Sequence, residues 1–440
     1  MTTKPAPTPV AAAVAQVGAA TASAAKPARR TVVRRPSSDA SRFHMSTAAV
    51  DRSVEYYLKL SDIQCVKHLA NIRWGSFTKV TCPHCNSSSD HYWSETELRW
   101  KCKGCGKRFS VTSKTVFAGH RISLQTLLAA VHLWICGASG KSALELRRML
   151  KLSYNTAFTL VSKLREAMLR GFNIGLISGV IEVDGAHASG KRASEKRGKP
   201  SNYSGMTEAE AQADALLTAS ARQKKRREAK AAALAAGGVL HPEHGNVFSP
   251  DRRIVMSVHK RSLQPGRGSL TTRIGIGLAE TPDAAQALAD RYVAIPESIL
   301  CSDSGTAFKK LGTQFQVHVQ VNHTLALSGS AGEHCNFAES FNARFDRAED
   351  IYRNIEPKQL CDYGCEVAFR ADHRRMAPGA AADRAMWYAL SVGESQFWRG
   401  FTHGRHRSYE ILLTGNRPAP PSGPAKGRSP VSMVNGRPPR

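Results

Sequence analysis

Two short cysteine pairs constrain this chain more than any other feature: Cys82-Pro83-His84-Cys85 and Cys102-Lys103-Gly104-Cys105, with 16 residues between them. Each CxxC turn offers two thiolates from one knuckle, and two knuckles at this separation suit one tetrahedral ion. Residues 53–118 therefore read as a helix over 53–69 followed by a four-cysteine zinc ribbon. His91-Tyr92-Trp93 and Leu98-Arg99-Trp100 supply its hairpin strands. Four thiolates close the coordination shell, so the Zn²⁺ is structural. The remaining cysteines are scattered, which points to a reducing compartment rather than a disulfide framework.

The ribbon is crowded by Lys101, Lys103, Lys107 and Arg108, and the excess is general: 62 Lys plus Arg against 35 Asp plus Glu, a formal charge of +27. Such a surplus asks for a polyanionic partner, with nucleic acid the first candidate. No apolar run reaches the roughly eighteen residues of a membrane span. Residues 1–52 are rich in Ala, Pro, Thr and Arg, with no acid before Asp39, and predict a disordered basic arm. That composition also suits an organellar transit peptide, but the rest is bacterial in type, and Met45 is an alternative start. Residues 414–440, dominated by Pro, Gly and Arg, predict a disordered tail.

Over residues 119–172 the periodicity is helical. Leu124, Leu127, Leu128, Val131 and Trp134 share one face. A short helix over 142–150, the turn Lys151-Leu152-Ser153 and a helix over 154–170 suit a helix-turn-helix-like DNA reader. Ser153 caps the last helix, Ala157, Val161, Leu164 and Met168 face inward, and Asn155, Thr156, Thr159 and Lys163 face DNA.

Beyond this, β-branched residues bring Val180-Ile181-Glu182-Val183 to Asp184-Gly185, a strand closed by a turn. Residues 193–247 predict an insertion, partly helical and partly flexible. Strands over 252–260 and 271–278, a helix over 282–291, a strand over 298–303 ending in Asp303 and a strand over 316–322 follow. A helix spanning 332–345 comes next, with Phe337, Phe341 and Phe345 at i+4 intervals and Asn336 and Glu339 one turn apart. This is the element order of an RNase H-like mixed-sheet domain over 176–376, followed by a C-terminal extension over 377–413. The fold class is thus α+β and multidomain: zinc ribbon, helix-turn-helix-like region, RNase H-like domain. The layout sets Asp184 and Asp303 side by side, with Glu339 or Asn336 approaching from the helix. Clustered carboxylates repel unless cations join them, and two Mg²⁺ or Mn²⁺ ions held this way catalyse in-line attack on phosphorus.

From about residue 53 to residue 376 the chain resembles the zinc-ribbon insertion-sequence transposases of the IS-fifteen-ninety-five (ISXO-two-like) family. The likeness rests on the four cysteines, Lys107-Arg108-Phe109-Ser110-Val111-Thr112, "GVIEVDG" at 179–185, Asp303-Ser304-Gly305, Val321-Asn322-His323 and "HCNFAESF" at 334–341. The resemblance implies DDE-type transposition: cleavage at the ends of a mobile element and transfer of the 3′-hydroxyl to target DNA. It implies Asp184 and Asp303 as the first two catalytic acids and Glu339, or alternatively Asn336, as the third. Where many members carry a Lys after the Glu, this chain has Asp346 between Arg344 and Arg347, either of which offers a phosphate contact. His323 and His334 read as packing or phosphate-contacting residues. The expectation is a cytoplasmic, nucleoid-associated bacterial transposase, homo-oligomeric on double-stranded DNA and without a membrane role. Its rivals are an inactive transposase-derived DNA-binding protein and a zinc-ribbon transcription regulator.

Overall fold

The computed structural model describes residues 43–137, 139–188, 218–235, 253–264, 268–303, 305–321, 335–353, 355–404, 407–415 and 417–418. Where the sequence predicts one helix over 53–69 there are two, α1 (Val54–Leu58) and α2 (Asp62–Trp74). The break is local: the Ser61 hydroxyl accepts from the Gln64 amide while the Gln64 side chain accepts from the Ser61 amide, a capping box that starts a new helix.

The ribbon follows as two small sheets. β1 (Lys79–Thr81) pairs antiparallel with β2 (Ser88–Asp90), and β3 (Tyr92–Ser94), β4 (Arg99–Lys101) and β5 (Arg108–Phe109) form a three-stranded sheet. Trp100 and Phe109 stack with ring centres 5.8 Å apart, and Trp74 at the end of α2 meets both edge-on. Three helices come next: α3 (Leu124–Cys136), α4 (Ala143–Leu150) and α5 (Tyr154–Ala167), each capped by a serine hydroxyl. The α-helical stretch ends at Ala167 rather than 170, and a π-helical turn (Met168–Phe172) leads into the sheet.

β6 (Ile177–Ala188) is the central strand of the sheet that carries the candidate chemistry. α6 (Ala219–Ala235) is the described part of the expected insertion, whose remainder lies outside the described residues. β7 (Arg253–Arg261), β8 (Ser269–Gly277), α7 (Pro282–Tyr292), β9 (Val293–Asp303), α8 (Thr306–Gly312) and β10 (Val317–Val321) complete the sheet. The strand order is β10-β9-β6-β7-β8, with β6, β7 and β8 antiparallel in turn and β9 and β10 parallel to β6. This is the RNase H-like arrangement expected from the element order. One face, including Ile181, Val183 and Leu300, packs on α7 and α8. The other is covered by α9 (Asn336–Tyr352) and α10 (Leu360–Asp372), after which α11 (Pro378–Ser391) closes the helical layer.

Three expectations need correction. Asp184-Gly185 is not a turn: β6 continues to Ala188, because Asp184, Gly185 and Ala186 stay paired with Ser257, Met256 and Val255 of β7. The end of the supposed disordered arm is anchored, since Asp51 accepts from the Gly379 and Ala380 amides at the start of α11 and Arg52 pairs with Asp383 at 2.7 Å. Arg417–Pro418, expected in the disordered tail, forms β12 against β11 (Tyr409–Glu410). The expected C-terminal extension over 377–413 contributes to the core: Met386 of α11 shares one buried cluster with Trp134 of α3, Leu164 of α5, Phe345 of α9, Phe369 of α10 and the ribbon's Trp100.

Candidate active site and metal centres

The parallel pairing of β6 with β9 ends at Val183 and Ser302. One step further along each strand stand Asp184, where β6 leaves β9 and runs on beside β7, and Asp303, at the carboxyl end of β9, with neighbouring strands about 4.8 Å apart. Open α/β sheets offer their sites at such ends. Asp184 accepts hydrogen bonds from the Gly185 amide at 2.8 Å and from the Asn342 side-chain amide at 2.8 Å, and Asp303 accepts from the Gly305 amide at 3.0 Å. Burial pushes the Asp184 carboxyl up to about 6 against these hydrogen bonds, and the charges of Asp303 and Glu339 push the same way. Glu339 therefore lies within electrostatic reach of Asp184. It is half-buried in the first turn of α9, whereas Asn336 is exposed at the first helical position.

An all-oxygen set of this kind fits hard divalent ions such as Mg²⁺ or Mn²⁺. A cation there would relieve the burial and repulsion that raise Asp184. Among the described residues only the cysteine quartet forms a tight cluster of three or more ligand atoms; the three carboxylates stand further apart. Asn322, His323, His334 and Ser304 lie outside the described residues.

Two residues that the sequence reading passed over hold this region together. Glu182, two positions before Asp184 and on the same strand face, is fully buried. One carboxylate oxygen pairs with Arg261 at 2.8 Å, and the other accepts from the Phe337 and Ala338 amides at 2.9 and 3.3 Å. It thus grips the amino end of α9. Asn342 stands three residues after Glu339, hence nearly one turn on, and reaches Asp184. Strand alternation and helical spacing were the available signals for both.

In the ribbon, the Sγ atoms of Cys82, Cys85, Cys102 and Cys105 lie within 4.8 Å of one another. The Cys82–Cys105 and Cys85–Cys102 separations are 3.8 and 3.6 Å, against about 3.8 Å for the edge of a tetrahedron with Zn–S bonds near 2.3 Å. The Cys105 amide holds the Cys102 thiol down to about 6, while burial pushes Cys82 up to about 12. The donor set fits Zn²⁺.

The expected DNA-facing residues divide. Lys101, Lys103, Lys107 and Arg108 are all exposed, though Lys103 pairs with Asp90 at 3.2 Å and Arg108 with Glu97 at 2.6 Å. Such surface pairs are weak and exchangeable. Of the four on α5 only Asn155 is exposed; Thr156, Thr159 and Lys163 are half-buried, and burial depresses the Lys163 ammonium. The reason is tertiary: Ser162, Leu164, Arg165, Glu166 and Ala167 are buried against the rest of the chain, so the free surface of α5 is its first turn.

Residues 60–108, which include all four cysteines, match the transposase zinc-ribbon domain. Residues 238–372, which include Asp303 and Glu339 but not Asp184, match the ISXO2-like transposase domain. No curated protein matches the chain, and no solved structure does. In this order the chain thus carries regions similar to the zinc-ribbon and ISXO2-like domains of insertion-sequence transposases.

Proposed function

We propose that this transposase binds the terminal repeats of its element and catalyses metal-dependent strand cleavage followed by 3′-hydroxyl transfer to target DNA. The observation that carries the reading is the emergence of Asp184 and Asp303 from adjacent parallel strands, with Glu339 close enough to raise the Asp184 carboxyl. Asp184, Asp303 and Glu339 would hold two divalent ions, Mg²⁺ or Mn²⁺, and Asn336 is the lesser candidate because it is exposed at the helix start. When bound, the ions supply Lewis acidity to the attacking and leaving oxygens.

The chain's own groups do the rest. The Gly185 amide and Asn342 orient Asp184, the Gly305 amide orients Asp303, and Glu182 fixes the turn that bears Glu339. Zn²⁺ folds the ribbon, whose Lys101, Lys103, Lys107 and Arg108 contact backbone phosphates. The first turn of α5, with Asn155 and Thr156, enters the duplex groove, and Thr159 and Lys163 contribute at its edge. The protein acts as a homo-oligomer on double-stranded DNA in the bacterial cytoplasm, associated with the nucleoid. Among the described residues no helix is long and apolar enough to cross a membrane.

Asp184→Ala or Asp303→Ala should abolish cleavage and strand transfer on a supercoiled plasmid with Mg²⁺ or Mn²⁺, while end binding in a gel-shift assay stays near wild type. Full activity in either variant refutes the ligand assignment. End binding without any wild-type transfer would make the chain a transposase-derived DNA-binding protein instead.

A further inference from the structure

The flank of α9 turned away from Asp184 borders a cavity of about 460 Å³, enclosed by α9, α10 and the carboxyl end of α3. That volume lies within the range of small-ligand pockets, about 300–1,000 Å³. Its floor is apolar and aromatic, with Phe43, Ala348 and Phe369 among the lining residues. Its charged groups are all cationic: Arg344, Arg347, Arg370 and Arg374 line it, and no acidic residue does among those described. Arg370 is committed to Glu366 and to the carbonyls of Trp134, Ile135 and Gly137. By doing so it neutralises the negative end of α3 that would otherwise repel an anion.

Burial, and then the nearby charge of Arg347, depress the Arg344 guanidinium, and burial followed by the charge of Arg344 depresses Arg374. Asp372, the acid in range of Arg374, is engaged by the amide and hydroxyl of Thr272 at 2.7 Å. Gathering like charges around a partly enclosed apolar floor is unfavourable for an isolated fold. It suits a ligand that is anionic at one end and flat and apolar at the other.

We propose that this cleft receives one unpaired nucleotide of the bound DNA, its phosphate against Arg344 and Arg347 and its base against the half-buried rings of Phe43 and His373, the latter stacked on Phe369 beneath it. The inference rests on DNA being the partner. Base stacking on aromatic rings and arginine–phosphate pairing are the standard terms of single-strand binding. The position is also apt. α9 with its side chains is about 10–12 Å across, so the cleft lies within a few nucleotides of a strand held at Asp184 and Asp303.

The test compares a fully paired element-end duplex with the same duplex carrying one unpaired base, titrated against the intact zinc-loaded protein. The unpaired base should tighten wild-type binding about tenfold, the lower end of a stacking contribution. Arg344→Gln with Arg347→Gln should erase that preference. Met376→Trp, which narrows the cavity at a residue 37% exposed and keeps every charge, should erase it too while paired-duplex affinity stays within about threefold. A wild type that binds paired DNA with no preference overturns the cleft and leaves the transposase reading standing. Full preference in Met376→Trp also overturns it, reducing the arginines to backbone contacts. Absence of any DNA binding overturns both.

Discussion

A buried carboxylate next to a candidate metal site is costly unless each of its oxygens is satisfied. Glu182 meets that condition by dividing its oxygens between Arg261 and the first amides of α9, where the helix dipole also favours an anion. Glu182→Ala strips Arg261 of this carboxylate and should destabilise by about 3–5 kcal/mol. Glu182→Gln keeps an acceptor for the Phe337 amide, so it should fold. With the grip on α9 weakened, it should need several-fold more Mg²⁺ for half-maximal strand transfer. An unchanged Mg²⁺ midpoint with a lowered melting temperature would make Glu182 purely structural. Asp372 gives a second residue-scale expectation. Burial pushes its carboxyl up to about 6 despite two hydrogen bonds from Thr272. The folded state therefore binds this proton more tightly than the unfolded chain, and the resulting stability is present below pH 4 and lost as pH rises through 6. Asp372→Asn lacks that loss, so its stability relative to wild type should rise by about 3 kcal/mol between pH 3 and pH 7. A flat difference in denaturant titrations across that window would refute the buried, raised carboxyl.

Elements were more legible than contacts. Alternating β-branched runs located β6, β7, β9 and β10 to within a few residues, because a strand's period survives whatever it packs against. The acids at 184 and 303 were legible for the same reason: each follows an apolar run. What was not legible depended on partners distant in sequence. The role of Asn342 needs Asp184, 158 residues away. The partial burial of Thr159 and Lys163 depends on the tertiary packing of α5, which no local pattern encodes. The ribbon was legible to its pairing, yet its attachment was not: Trp74 of α2 and Trp93, Trp100 and Phe109 of the sheets form one aromatic cluster. A small module with so little core of its own depends on its ion. Stripping Zn²⁺ with a chelator should therefore red-shift tryptophan emission and, because this cluster is continuous with the main core, lower the melting midpoint of the whole chain. Unchanged melting after verified zinc loss would show the ribbon to be an independent unit.

At the scale of the whole molecule, reader and catalytic sheet are not beads on a string. Arg165 of α5 and Glu366 of α10 pair at 2.6 Å with both side chains buried, and Arg165 also lies 3.8 Å from the ring centre of Tyr363. Arg370 of α10 caps the carboxyl end of α3, so the helices proposed to read DNA are tied to the helical layer over the sheet by charge as well as by packing. On the proposed function, this packing sets the orientation of the first turn of α5 relative to Asp184, and with it the spacing between recognised sequence and cleavage point. Glu366→Ala leaves Arg165 buried without its acid and should cost about 3–5 kcal/mol. Arg165→Met combined with Glu366→Leu removes both charges and should cost far less, since apolar replacement of a buried pair is often near neutral. In the single variant, end binding and strand transfer should fail at the same lowered temperature, because the interface that orients the reader also supports α9 through α10. A variant that loses one activity tens of degrees before the other would show instead that the helices and the sheet unfold separately.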